Sequence, residues 1–238
     1  MARAPILATL EPDAEGEARA APSFAVPRLH RATLNDEVYH ELKRAISAGA
    51  IEPGQAMTIR ALAASFGISL MPVREALNRL VAEHVLVQLP NRSVALPRIG
   101  RERFREITRI RVALEGLAAE EACPRVSPAE IERLERLNQR IEGTDSVTKA
   151  LADNREFHFT LYRAAAMPTL VALIETHWLQ AGPLLQIAMR ELVLKRRLEC
   201  HRQLLRALRR RDAAAARAAI TADLEEAAVP IARHLSEG

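Results

Sequence analysis

The 238 residues suffice for two domains of ordinary size. Hydrophobic content of 49% with only 3% aromatics, dominated by Ala, Leu and Arg, favours aliphatic helix packing over an extensive sheet. The 34 basic and 30 acidic residues leave a net charge of +4, compatible with a nucleic-acid partner without requiring one. Two cysteines, Cys123 and Cys200, exclude a zinc finger and fit a reduced, cytoplasmic setting. No apolar run approaches a membrane span, and the opening MARAPILATLEPD does not read as a secretory leader.

Residues 1–31 hold Pro5, Pro12, Pro22 and Pro27 without steady periodicity and read as a flexible tail. From Leu34 the pattern changes: Leu34, Val38, Leu42 and Ile46 recur every four residues, predicting a helix with one buried stripe that ends at Gly49 and the Glu52-Pro53-Gly54 turn. The next stretch, Ile59 to Val81, predicts two short helices joined at Gly67-Ile68-Ser69. Leu62, Ala63 and Phe66 face inward from one, and Val73, Leu77, Leu80 and Val81 from the other. Val85-Leu86-Val87 and Val94-Ala95-Leu96 then predict two strands around a polar turn. Three helices and a small hairpin make a winged helix-turn-helix over residues 32–98.

Pro97 and Gly100 mark the boundary of a second domain, residues 99–238, that reads as helix throughout. Its first helix spans about 101–122, with Phe104, Ile107, Ile110, Leu114 and Leu117 on one face. A second starts at the capping box Ser127-Pro128-Ala129-Glu130, and a third covers about 146–166. Pro168 opens a fourth. Two more are expected at about 187–210 and 213–235, the last bent or interrupted near Pro230. The fold class is therefore mainly α: a winged head followed by a six-helix domain.

A helix-turn-helix lays its second helix in the DNA major groove. Here Ser69 is placed as N-cap, Pro72 lies in the first turn where a missing N–H costs little, and the outward face shows Leu70, Met71, Arg74, Glu75 and Asn78. Arg and Asn can reach phosphates and base edges. Arg60, at the start of the preceding helix, would lie near the DNA backbone, and Arg92 at the wing tip could enter the minor groove. The plain alternative is a helical hairpin with solvated charges; the helix before it and the hairpin after it weigh against that.

In the second domain, three predicted helices carry polar residues on apolar stripes. Val147, Leu151, Asn154, His158 and Leu161 form one stripe, and Leu194, Leu198, His201, Leu205 and Leu208 another. Ala216, Ile220, Asp223 and Ala227 form the third. Buried His and Asp must be paired, hydrogen-bonded or metal-bound, and two imidazoles, a carboxylate and an amide oxygen suit a divalent transition metal. Taken singly, each is more often a satisfied core residue. Arg111, bordering the inward face of its helix, could fork onto a carboxylate ligand or form an internal salt bridge. His177 is expected to be packing, and the basic runs Lys195-Arg196-Arg197 and Arg209-Arg210-Arg211 a solvated face.

Met71-Pro72-Val73-Arg74-Glu75-Ala76-Leu77, preceded by Leu62-Ala63 and Phe66-Gly67-Ile68-Ser69, resembles the signature of GntR-family transcription regulators. The all-α remainder is similar to the FCD, or FadR-like, effector-binding and dimerisation domain, so the resemblance covers about 34–230. It implies operator contacts from Arg60 and Arg74. One departure is Leu70, where the family usually has Arg, which bears on the operator sequence. FCD domains often hold a metal through an acidic or amide residue one turn before a His, plus two later histidines. Asn154 and His158 match the first pair, His201 the next ligand, and Asp223 stands in place of the last His. A zinc-, nickel- or manganese-class ion and a metal-free polar pocket both remain open. The resemblance also places Arg111, with Asn154, His158 and His201, at a cavity for a small carboxylate effector.

The resulting expectation is a non-enzymatic, ligand-responsive regulator, more often a repressor, that binds a pseudo-palindromic DNA operator as a homodimer. Two alternatives stand beside it. One is a metal-binding DNA-binding protein whose helical domain is structural and effector-blind; the other is a two-His-one-carboxylate metalloenzyme, against which the winged helix argues.

Overall fold

The computed structural model describes residues 34–195 and 198–235, with backbone only for 192–195. The tail expected at 1–31, part of the basic run Lys195-Arg196-Arg197 and the side chain of Leu194 lie outside the described residues.

The head begins with α1 (Leu34–Ser47), which buries Val38, Tyr39, Leu42, Lys43 and Ile46. Leu34, expected on the buried stripe, is 45% exposed. A strict four-residue repeat drifts around a helix of 3.6 residues per turn, so its first member swings out and Tyr39 and Lys43 complete the buried face. The helix-turn-helix proper is α2 (Ile59–Phe66) and α3 (Leu70–Ala82). Thr58 caps α2 through its side chain, and Gly67 ends it at φ 66°, a left-handed turn that favours glycine. Phe66, expected to face inward, sits at that end and is exposed, leaving Ala63 as the buried residue of α2. Ser69 takes the N-cap position of α3 with extended backbone but makes no side-chain capping bond. Val73, Ala76, Leu77 and Leu80 bury the inner face of α3. The wing pairs β1 (Val87–Gln88) with β2 (Val94–Ala95) antiparallel, Val87 opposite Ala95, and Met57 bridges to Val94.

The second domain comprises α4 (Arg101–Ala122), α5 (Pro128–Gly143), α6 (Val147–Ala164), α7 (Pro168–Lys195), α8 (Glu199–Arg210) and α9 (Ala213–His234). The capping box of α5 is formed in both directions, Ser127 receiving the Glu130 amide and Glu130 the Ser127 amide. Two sequence expectations need correction. The helix expected to begin near 187 does not; α7 runs unbroken through Pro183 to Lys195. At Gly182, α7 passes α1 at ordinary contact distance, a Cβ there lying 3.5 Å from the Ile46 carbonyl oxygen. The buried stripe of α4 is also rotated, running through Phe104, Ile107, Arg111, Glu115, Ala118, Ala119 and Ala122, with Leu114 and Leu117 only partly buried.

Head and body meet along α1 and α7. Leu179 of α7 joins the hydrophobic core of the head. Glu175 accepts from Lys43 Nζ of α1 (2.5 Å) and from Arg155 Nη2 of α6 (2.8 Å). Gln180 donates to the His84 carbonyl (3.2 Å) and Gln186 to the Ala48 carbonyl (3.0 Å). Burial alone would raise the Glu175 carboxyl, but Lys43 and then Arg155 override it and hold it below its ordinary 4.5. A depressed carboxyl stabilises the fold above its unfolded value and loses that contribution as pH falls through the folded one. Glu175→Gln is therefore expected to lower stability by about 1.5 kcal/mol near neutrality. Urea denaturation of both proteins should show that gap closing as pH drops below 4.5.

Candidate functional site

The outward face of α3 carries Met71, Arg74, Glu75 and Asn78, all exposed, with Leu70 at its first position 44% exposed and Met71 59%. Arg60 on the first turn of α2 is exposed, and Arg92 stands exposed at the wing tip in left-handed backbone, φ 62°. Inner apolar residues fix the roll of α3, so Arg74 and Asn78, four residues apart, project from one side.

In the body, α6 brings in His158, α8 brings His201 and α9 brings Asp223. One donor atom from each lies within 4.8 Å of the others. His158 Nε2 is 3.4 Å from Asp223 Oδ2, and His201 Nε2 is 3.6 Å from Asp223 Oδ1. Both rings are 1% exposed. Phe157 stacks on His201 with centroids 4.1 Å apart, which sets the plane of that ring.

The other nitrogen of each ring is committed. Asn138 donates its amide to Glu142 Oε1 (3.1 Å), so its oxygen faces His201 Nδ1 (3.1 Å) and requires a proton there. Tyr162 donates its hydroxyl to Glu115 Oε2 (2.5 Å), so its oxygen accepts from His158 Nδ1 (3.0 Å). The network thus places a proton on each Nδ1 and points both Nε2 atoms toward a carboxylate. His201 Nε2 is buried and has no hydrogen-bond partner. Burial pushes the His201 imidazole down to about 4, with the Asp223 charge opposing, so the ring is neutral near pH 7. Burial would raise Asp223, but His158, His201 and Arg111 hold it below the usual carboxylate range.

Two imidazoles and a carboxylate, with their donor atoms convergent and outer hydrogen bonds fixing both rings, fit a divalent transition metal. The orphaned His201 Nε2 is the atom such an ion would satisfy. Asn154, one turn before His158, lines a cavity of ≈ 370 Å³ that Asp223 also borders. Arg111 lies behind this group rather than in the cavity lining. Its Nε donates to Glu115 Oε1 (2.6 Å) and its guanidinium lies 4.8 Å from the Trp178 ring centroid. The internal salt bridge anticipated for Arg111 thus forms, with Glu115 as its partner.

Sequence reasoning did not single out Glu115, Asn138, Tyr162 or Trp178. Glu115 had a signal, four residues after Arg111 on the same helix, whereas the others become visible only once the helices pack.

Residues 34–96 match the family of bacterial regulatory proteins named gntR, and residues 106–226 match the FCD domain. The chain belongs to the GntR family. This GntR regulator is 33% identical over 192 residues to the HTH-type transcriptional regulator McbR of Escherichia coli (strain K12), spanning 78% of this chain and 86% of McbR. The gluconate operon transcriptional repressor of Bacillus subtilis (strain 168) is 30% identical over 131 residues, 55% of this chain and 52% of that one. The solved structure of E. coli McbR/YncC superposes with a TM-score of 0.78 at 28% identity, covering 86% of this chain and 99% of that one. The chain is a DNA-binding transcriptional regulator and not an enzyme. Among the described residues of this GntR regulator, no helix is long and apolar enough to cross a membrane.

Tyr162→Phe would remove one donor from buried Glu115 and the acceptor from His158 Nδ1. Thermal or urea denaturation should report a loss of about 1–3 kcal/mol; an unchanged midpoint would show that the network does not bear on stability.

Proposed function

We propose that this regulator is a repressor that binds a pseudo-palindromic operator as a homodimer, with a small carboxylate effector and a divalent metal bound in the helical domain. The observation that supports the site most is the convergence of His158 Nε2 and His201 Nε2 on Asp223, with His201 Nε2 buried and unpartnered. In this reading residues 1–31 form the tail, 32–98 the DNA-reading head and 99–238 the effector and dimerisation domain, and the protein works in the cytoplasm.

His158, His201 and Asp223 would hold the metal, a zinc-, nickel- or manganese-class ion, with Asn154 beside them. The ion would supply positive charge to an incoming carboxylate. The chain's own residues orient the rings: Asn138 fixes His201, and Tyr162, held by Glu115, fixes His158. Arg111 adds positive charge felt by Asp223 and anchors Glu115, giving it a supporting part in effector binding. Ligand binding then favours one of two head arrangements in the dimer and changes operator affinity.

The metal half is tested by competition with a chromogenic chelator. His158→Ala and His201→Ala should lose zinc affinity by more than the roughly 10- to 100-fold expected for a supporting residue such as Asn138. Equal, small losses in all three would contradict the ligand assignment.

The DNA half is tested on duplexes selected from a random library, by fluorescence anisotropy. Arg74→Ala should weaken the best duplex at least about ten-fold, and Arg60→Ala, Ser69→Ala, Asn78→Ala and Arg92→Ala less. Leu70→Arg and Met71→Ala should change which sequence is preferred, since both residues stand exposed at the start of α3.

A further inference from the structure

The leading end of α3 presents alkyl groups to solvent. Its first two residues, Leu70 and Met71, are 44% and 59% exposed. Pro72, Val73, Ala76, Leu77 and Leu80 bury the opposite face of the helix. Arg79 is held back on the protein, its Nε 3.1 Å from Glu83 and its guanidinium 3.8 Å from the Tyr39 ring centroid. The roll of α3 is thus fixed from two sides, and the apolar pair is turned outward by the fold.

A recognition helix meets base edges with its N-terminal residues. Two alkyl chains therefore stand where hydrogen-bonding side chains would read a base. Pressed against a purine N7 or an exocyclic oxygen or amine, they would strip those atoms of water and offer no hydrogen bond in return. One group on the major-groove edge escapes that penalty, the C5-methyl of thymine. Packing it against Leu70 or Met71 removes apolar surface from water on both partners.

Helix geometry separates the two contacts. At 3.6 residues per turn, Leu70 and Met71 lie about 100° apart around α3, and Arg74, one turn on, falls between them, about 40° from one and about 60° from the other. Two side chains so separated meet different bases. Arg74 is itself exposed, so the apolar pair is continuous with the cationic reading face of the helix.

We infer that Leu70 and Met71 each read a thymine methyl group, so that every half-site of the operator carries thymine–adenine pairs at the two positions these side chains reach. This rests on the reading of α3 as the helix that enters the major groove.

The test uses the full chain and the best duplex selected from a random library, with each thymine replaced in turn by deoxyuridine, which removes the methyl and keeps the pairing edge. Fluorescence anisotropy should show affinity falling about four-fold at two positions in each half-site, the loss that corresponds to one buried methyl. Leu70→Ala should make the protein indifferent to the methyl at one of these positions and Met71→Ala at the other. Arg74→Ala should weaken the thymine and uracil duplexes alike. Both apolar side chains are exposed, so their truncation leaves the buried core of the head in place. Full affinity for a duplex with deoxyuridine at every thymine position would overturn the methyl assignment and leave the DNA-reading role of α3 standing. Methyl sensitivity that persists in both alanine variants would place the readout elsewhere and likewise overturn it. An Arg74→Ala protein that binds the selected duplex as tightly as the unaltered one would overturn the placement of α3 in the groove and this inference with it. A changed oligomeric state in sedimentation of either alanine variant, with methyl discrimination intact, would assign the pair to a contact between heads and overturn the inference.

Discussion

A single carboxylate holds the helical domain in register. Glu115 is fully buried, and such a charge would be prohibitive without partners. It has three sets of donors, Arg111 on its own helix, Tyr162 on α6 and Trp178 on α7, the last at 2.9 Å. Three helices are thereby fixed to one point, and directionality follows from it. Because Tyr162 must donate to Glu115, its oxygen can only accept from His158 Nδ1, and His158 turns its Nε2 toward Asp223. The tautomer at the ligand group is decided by a residue that never touches it. Arg111 is drawn into the same task, which explains why the side chain best suited to seize a ligand lies behind the site.

Much of this was legible in the sequence. The two-helix signature, the wing, the later helices other than the start of the fifth, and the inward phase of His158, His201 and Asp223 follow from periodicity and punctuation. The errors share a cause. Reading α4 by its large aliphatics places Leu114 and Leu117 inside and leaves Arg111 at the border, whereas packing against α9 favours small residues and admits a neutralised Arg111–Glu115 pair. At Gly116 a Cβ would already be 3.3 Å from Arg217, which shows how closely that face is approached. Periodicity puts the start of the fifth helix at about 187, whereas α7 continues through Pro183 to Lys195 and α8 begins at Glu199. Asn138 and Trp178 carry no local signal; their roles depend on neighbours 63 residues away in the chain.

In the candidate ligand group the carboxylate comes from α9, and the Asn154 amide lies on α6 beside the cavity. That arrangement puts the negative charge on the helix that also forms one wall of the cavity. Asp223 thus belongs both to the candidate ligand group and to the cavity wall.

The joint at Glu175 bears on how DNA binding by this protein is to be measured. Binding weakens with salt because phosphates release condensed cations, and the slope is normally read as a count of contacts. Here Lys43 on the head and Arg155 on the helix of His158 share one partly exposed acid, and added salt screens that joint as well as the DNA. Titrating a chain that lacks that carboxylate alongside separates any intramolecular part of the slope from the phosphate contacts.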